Sequence, residues 1–228
     1  MSGPVVSAER FGRRLAAVVA AQGTLCAGID PHPGLLRQWQ LTDDADGLDS
    51  FATACFEAFA GHVGVVKPQS AFFERHGSAG IAVLERLLDA FAATSTLVIL
   101  DVKRGDIGTT MDGYAGAYLA AKAPLGADAV TLSPYLGFGA LAPGMAAAAV
   151  AGRGVFVLAR TSNPEGGEVQ LATTAGRTVA QAIVDAAGEQ NAGRDPLGDV
   201  GVVVGATRDH GLDLSRLRGA VLAPGLGA

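Results

Sequence analysis

The chain has 228 residues, 49% hydrophobic and 17% charged, a composition that suits one globular α/β domain with a full core. A net charge of −5 without any basic cluster speaks against a nucleic-acid partner, and Arg10, Arg13 and Arg14 interrupt any signal-peptide core. No stretch approaches the ~18 uncharged apolar residues of a membrane span, and Cys26 and Cys55 lie in apolar segments, so a cytoplasmic protein with buried free thiols is the default expectation.

The spacing predicts an amphipathic helix over 7–22, capped by Ser7, with Phe11, Leu15, Val18 and Val19 as its apolar stripe. Such a helix ahead of the first strand would close the bottom of a barrel or pack on its side. Residues 25–30 read as the first strand, stopped by Pro31 and ending on Asp30. Trp39 is read as the anchor of a polar loop. A helix over 42–60 presents Phe51, Phe56 and Phe59. The second strand, 62–69, ends on Lys67. Ser78 is expected to cap a third helix built on Ile81, Leu84, Leu87, Leu88 and Phe91. The central strand, 97–103, leads into a helix over 111–122, where Tyr114 and Tyr118 read as packing or interface residues. The fourth strand covers 129–135, followed by an Ala-rich helix after Gly139. The fifth covers 155–161, with 162–167 as its loop and Arg160 expected in an exterior salt bridge. A helix at about 173–190, a break at 191–196, a sixth strand at 201–207 and a seventh from Ala220 complete the pattern.

Strands and helices alternate without a linker, so the chain is one domain, either an open doubly wound sheet or a (β/α)8 barrel. No G-x-G-x-x-G follows the first strand, which removes support for a dinucleotide fold. Polar residues close five successive strands: Asp30, Lys67, Asp101 with Lys103, Ser133 and Thr161. A ring of functional strand ends is the mark of the (β/α)8 TIM barrel, which is the fold expected here. Seven strands are legible, so the last βα unit is expected to be missing from this chain.

The stretch that organises the rest is Leu97-Val-Ile-Leu-Asp101-Val-Lys103-Arg-Gly-Asp106. Alternation puts Asp101 and Lys103 on one face with Leu97 and Ile99, and Val102 on the opposite face toward the helices. Buried charges of this kind are costly unless paired. A structural ion pair is the simplest reading of Asp-x-Lys alone, but these charges sit at the carboxyl end of a buried strand, where α/β folds bind ligands. Each carboxylate has a lysine competitor and no strand end carries His, which disfavours a metal site. A Schiff-base role for Lys67 or Lys103 is open, but lysines flanked by carboxylates keep their protons and act as donors. Proton delivery to a developing carbanion beside a fixed carboxylate suits decarboxylation.

These residues resemble the D-x-K-x-x-D signature of the orotidine 5′-phosphate decarboxylase family, Asp101-Val-Lys-Arg-Gly-Asp106-Ile-Gly-Thr-Thr110 here. The resemblance continues through Gly28-Ile-Asp30-Pro-His-Pro, Val66-Lys-Pro-Gln, Ser133-Pro-Tyr-Leu-Gly-Phe-Gly, Thr161-Ser-Asn-Pro-Glu-Gly, Val203-Val-Gly-Ala-Thr and Ala223-Pro-Gly-Leu-Gly, in the manner of the longer bacterial subgroup. It implies conversion of orotidine 5′-phosphate to UMP without metal or cofactor. By the resemblance, Lys103 protonates C6 while Asp101 faces the substrate carboxylate, and Lys67 and Asp30 hold ribose hydroxyls. Ser133 reads the pyrimidine edge, and Pro224 lies where substrate binding continues. Asp106, with Ile107 and Thr110, reaches into the partner's site of a homodimer. The family's phosphate grip follows the seventh strand and the eighth strand end, so the chain as given is expected to be weak or inactive. Two alternatives stay open: a magnesium-dependent sugar-phosphate decarboxylase or aldolase on the same barrel, against which Lys67 argues, and a barrel that binds nucleotide without turnover.

Overall fold

A computed structural model describes residues 9–207 and 209–225. The chain opens with α1 (Phe11–Gln22) and β1 (Cys26–Ile29), then α2 (Pro33–Gln38), α3 (Ala45–Phe59) and β2 (Val65–Pro68). Next come α4 (Ser70–Glu74), α5 (Gly77–Ala92), β3 (Leu97–Arg104), α6 (Gly108–Tyr118), β4 (Ala129–Leu132), α7 (Ala142–Val150) and β5 (Gly154–Arg160). After α8 (Gly167–Gln170), a small antiparallel hairpin of β6 (Thr173–Thr174) and β7 (Arg177–Thr178) precedes α9 (Val179–Gln190), β8 (Val200–Val204) and β9 (Val221–Leu222). The main sheet is seven-stranded in the order β1-β2-β3-β4-β5-β8-β9, and every neighbouring pair is parallel. Parallel strands covered on both faces are apolar throughout, which is why these segments read as continuous Val, Ile and Leu runs.

Alternation divides the apolar side chains into two clusters. Val66, Val98, Leu100, Val102, Val130, Leu132 and Val157 pack outward against helix residues such as Leu84, Leu87 and Phe91. Val102 therefore faces the helices, as the alternation requires. Val65, Leu97, Ile99, Ala129, Phe156 and Val203 point to the other face, where Phe11 and Leu15 of α1 join them. Strands as far apart in the sheet as β2 and β8 share this small inner cluster, so the sheet is curled. The architecture is that of the (β/α)8 TIM barrel, with seven of its strands among the described residues. The edge strands β1 and β9 border an apolar cavity of ≈ 450 Å³ whose lining includes Cys26, Val65, Ile99, Phe156 and Leu222.

Helix α1 plugs the bottom of the barrel. Phe11 meets Phe156 edge-on, with ring centroids 6.0 Å apart. Gly154 makes room for it, because a Cβ there would stand 2.1 Å from the Phe11 ring. Two carboxylates from the N-terminal side of the sheet hold the helix. Asp199 pairs with Arg10 at 3.0 Å and accepts the Gly12 N–H at 2.8 Å. Asp128 pairs with Arg14 and accepts the Val98 N–H at 2.8 Å, tying α1 to the start of β3.

Several element ends differ from the sequence expectation. Helix α1 starts at Phe11 with Arg10 in the capping position, and Ser7 lies outside the described residues. Helix α5 starts at Gly77, whose φ of +62° turns the chain out of α4, and Ser78 therefore falls inside the first turn without capping it. Residues 173–178 form the hairpin in place of helix, because Ala175 and Gly176 both take left-handed backbone between Thr-rich flanks. Thr178 then caps α9 by accepting the Gln181 N–H. Trp39 ends the short helix α2 and is anchored on Phe51, with ring centroids 4.9 Å apart.

Replacing Phe11 by Ala should empty the barrel floor and lower unfolding free energy by about 3–5 kcal/mol, read by urea denaturation. A loss under about 1 kcal/mol would mean that α1 is not an integral part of the inner core.

Candidate active site

The carboxyl ends of β1, β2 and β3 are adjacent, so Asp30, Lys67, Asp101 and Lys103 converge although 73 residues separate the first from the last. Asp101 stands at the centre. Lys103 Nζ is 2.7 Å from its Oδ1, and Lys67 Nζ is 3.1 Å from its Oδ2. Lys67 Nζ also lies 3.8 Å from Asp30 Oδ1 and donates to Gln69 Oε1 at 3.3 Å. The side chain of Asp101 is 8% exposed and that of Lys67 14%, while that of Lys103 is 44% exposed, so Lys103 is the charge that meets the mouth.

Burial pushes the Asp101 carboxyl up. The charge of Lys67, the hydrogen bond and charge of Lys103, and a hydrogen bond from Thr131 more than offset it, and the group is held below the ordinary carboxylate value. Thr131 Oγ1 donates to Asp101 Oδ1 at 2.7 Å. Asp30 Oδ1 is enclosed and accepts no hydrogen bond among the described residues, with the Lys67 ammonium as its ion-pair partner, while the Asp30 side chain as a whole is 46% exposed. Burial raises the Cys26 thiol to about 11, against the opposing charge of Lys67, so Cys26 is an inert thiol beneath the site.

The other expected site residues make no hydrogen bond to this centre among the described residues. Ser133 follows β4, and its N–H donates to Arg104 O at 2.7 Å. Gly105 permits that approach, since a Cβ there would be 2.2 Å from Ser133 O. Asp106 Oδ1 accepts the N–H of Ile107 at 2.8 Å. Ile107 is 62% exposed, and Thr110 is exposed in the first turn of α6. Pro224 O accepts the Ala206 N–H at 3.0 Å, which places the loop after β9 beside the one after β8. Thr161 is drawn away from the ring: its Oγ1 donates to Asn163 Oδ1 and accepts from Gln170 Nε2 at 2.8 Å. Arg160 makes no exterior salt bridge among the described residues. It is buried and bonds the Thr161 carbonyl and Gln170 Oε1, both at 3.0 Å, because α8 folds Gln170 back over the strand end.

Two site residues escaped the sequence reading, Gln69 and Thr131. The signal for Thr131 was present: it is the polar inward position in the otherwise apolar run Ala129-Val-Thr-Leu132.

A parallel barrel that gathers a buried carboxylate between two ammonium groups at the carboxyl ends of its strands has its charged centre where TIM-barrel enzymes place their active sites. Residues 23–228 match the model of the orotidine 5′-phosphate decarboxylase / HUMPS family. The curated orotidine 5′-phosphate decarboxylases of Salinispora arenicola and Salinispora tropica are 60% and 59% identical over 222 residues, 96% of this chain and 80% of each relative. A Streptomyces avermitilis crystal structure assigned as orotidine 5′-phosphate decarboxylase superposes with a TM-score of 0.95 at 50% identity, over 100% of this chain and 81% of that one. The chain belongs to the orotidine 5′-phosphate decarboxylase / HUMPS family, and at this likeness it is an enzyme, a decarboxylase.

Because the folded Asp101 carboxyl is depressed, its contribution to stability is complete above its unfolded value, about 3.9, and is lost as pH falls through the folded value. Urea unfolding of wild type should therefore weaken more between pH 5 and pH 3 than that of Asp101→Asn. Equal losses would show that Asp101 is not held ionised by its lysines.

Proposed function

We propose that the chain converts orotidine 5′-phosphate to UMP and carbon dioxide in de novo pyrimidine synthesis, with Lys103 as the proton donor and without metal or cofactor. Family membership and the 60% identical relatives support the decarboxylation in pyrimidine biosynthesis. The observation that carries the finer reading is the Asp101 carboxylate, fixed 2.7 Å from the Lys103 ammonium at the mouth.

In the proposed reaction the bond from C6 to the substrate carboxylate breaks, and its electron pair stays on C6. Carbon dioxide leaves, a proton from Lys103 Nζ forms the new C6–H bond, and solvent returns a proton to the lysine. Asp101 lies against the departing carboxylate. Two like charges ~4 Å apart at an effective dielectric near 20 repel by about 4 kcal/mol, about a thousandfold in rate if fully relieved. Enzymes supply roughly 8–23 kcal/mol, so repulsion alone is too small. The larger share falls to Lys103, the exposed positive charge beside the carbanion, held in place before the reaction begins.

The substrate's other parts find partners in the same reading. The Asp30 carboxylate, 46% exposed beside Lys67, accepts a ribose hydroxyl, and Lys67 donates to its neighbour. Ser133 reads the pyrimidine edge, and Pro224 belongs to the substrate-binding loop after β9. Asp106, Ile107 and Thr110 serve a second copy of the chain. In support, the loops leaving the adjacent strands β3 and β4 expose Ile107, Tyr135 and Leu136. A magnesium-dependent reaction on a sugar phosphate fits less well, because the end of β2 offers the Lys67 ammonium where a divalent cation needs oxygen ligands.

The fall of orotidine 5′-phosphate absorbance tests this reading. Wild type should turn the nucleotide over, at the weak rate the sequence leads us to expect, Lys103→Ala should lose about a thousandfold of that rate, and EDTA should change neither. Wild type without turnover, or activity abolished by chelation and restored by magnesium, would contradict it.

A further inference from the structure

We propose that Thr131 is the positioning residue that aims Lys103, through a single hydroxyl shared between the backbone of Lys103 and the carboxylate of Asp101. The inference rests on the proposed decarboxylation and adds to it a residue outside the charged signature.

The register between β3 and β4 shifts at the charged residues. Ile99 pairs with Ala129 and Leu100 with Val130, but the next pair is Arg104 with Leu132. Three residues of β3, Asp101, Val102 and Lys103, therefore stand opposite one residue of β4, Thr131. Such a bulge removes backbone partners and re-aims the side chains of the bulged strand. Lys103 sits in it with a φ of +46°, a left-handed conformation that residues with a Cβ rarely adopt. Its N–H has no strand carbonyl opposite and donates to Thr131 Oγ1 at 2.9 Å. The same oxygen is 2.7 Å from Asp101 Oδ1. A hydroxyl has one proton, and an ionised carboxylate can only accept, so that proton goes to Asp101 and the oxygen's lone pair takes the Lys103 N–H. Both bonds thus have a fixed direction.

Thr131 is 1% exposed, so nothing in solvent replaces these bonds if the hydroxyl is removed. The backbone of Asp101 is held on its other side by its bridge to Gln69. For Lys103 the N–H is held by the Thr131 hydroxyl, and only with the next residue, Arg104, does the strand rejoin the ladder at Leu132. Loss of the hydroxyl would leave the Lys103 N–H unpaired and its left-handed backbone unsupported. The Asp101–Lys103 pair would keep its charges and lose its aim.

The test compares Thr131→Val, which keeps the shape and removes the hydroxyl, with Thr131→Ser, which keeps the hydroxyl. Steady-state decarboxylation of orotidine 5′-phosphate and hydrogen exchange at the Lys103 amide are read on both. Thr131→Val should lower kcat by about a hundredfold with KM changed little, and should speed exchange at Lys103. Thr131→Ser should restore both toward wild type. Full kcat in folded Thr131→Val would overturn the proposal, as would an equal loss in Thr131→Ser. If Thr131→Val fails to fold, Thr131→Ser with wild-type exchange and kcat supports it, and Thr131→Ser with a lost kcat overturns it. If wild type does not turn the nucleotide over, the decarboxylase reading fails on its own. The positioning claim is then decided by Lys103 exchange, which supports it if faster in Thr131→Val and overturns it if unchanged.

Discussion

One buried carboxylate between two lysines sets the terms for the rest of the molecule. Asp101 is 8% exposed, and a lone ionised carboxylate in that position would be driven to its neutral form. Lys67 at 3.1 Å and Lys103 at 2.7 Å keep it ionised. Those lysines reach it only because β2 and β3 lie side by side and parallel, in a register that sets Gln69 beside Asp101 and Lys67 one inward position below it. A one-residue slip of either strand would exchange its inward and outward faces and put a charge among the helices. The charged centre and the sheet register therefore specify each other.

The two ends of the barrel carry different work. At the bottom, α1 fills the interior with Phe11 and Leu15, and Asp128 and Asp199 clamp it to the sheet. At the top, the side chains are charged, strained or exposed, as with the left-handed Lys103 and the open Ile107. Stability is concentrated away from the reacting groups, so the mouth can hold an unfavourable backbone conformation while the inner and outer clusters keep the sheet in place.

The sheet was legible in the sequence because buried parallel strands leave apolar runs, and short runs ending in polar residues or turns located it. The charged centre was legible for the same reason: alternation alone put Asp101 and Lys103 on one face. Helix starts were less legible, since Ser78 resembles a cap while the chain turns on Gly77, a left-handed position that composition does not show. Thr161 looked like a fifth member of the ring, but a side chain nine residues on, Gln170, claims its hydroxyl. Thr131 was passed over because a lone Thr in a strand is ordinary. Its role depends on a register shift in β3 that no local pattern announces. Alternation and burial can be read from one strand at a time, whereas bulges and strand-end loops are properties of pairs.

The central claim is that a carbanion forms at C6 and that Lys103 supplies its proton. By microscopic reversibility, the same lysine must be able to remove the C6 proton of the product, so the most direct measurement is exchange of the C6 hydrogen of UMP in D2O, followed by NMR. Wild type should catalyse deuterium incorporation at C6, and Lys103→Ala should not. Exchange that persists in Lys103→Ala, or no exchange from a wild-type chain that decarboxylates orotidine 5′-phosphate, would contradict the account.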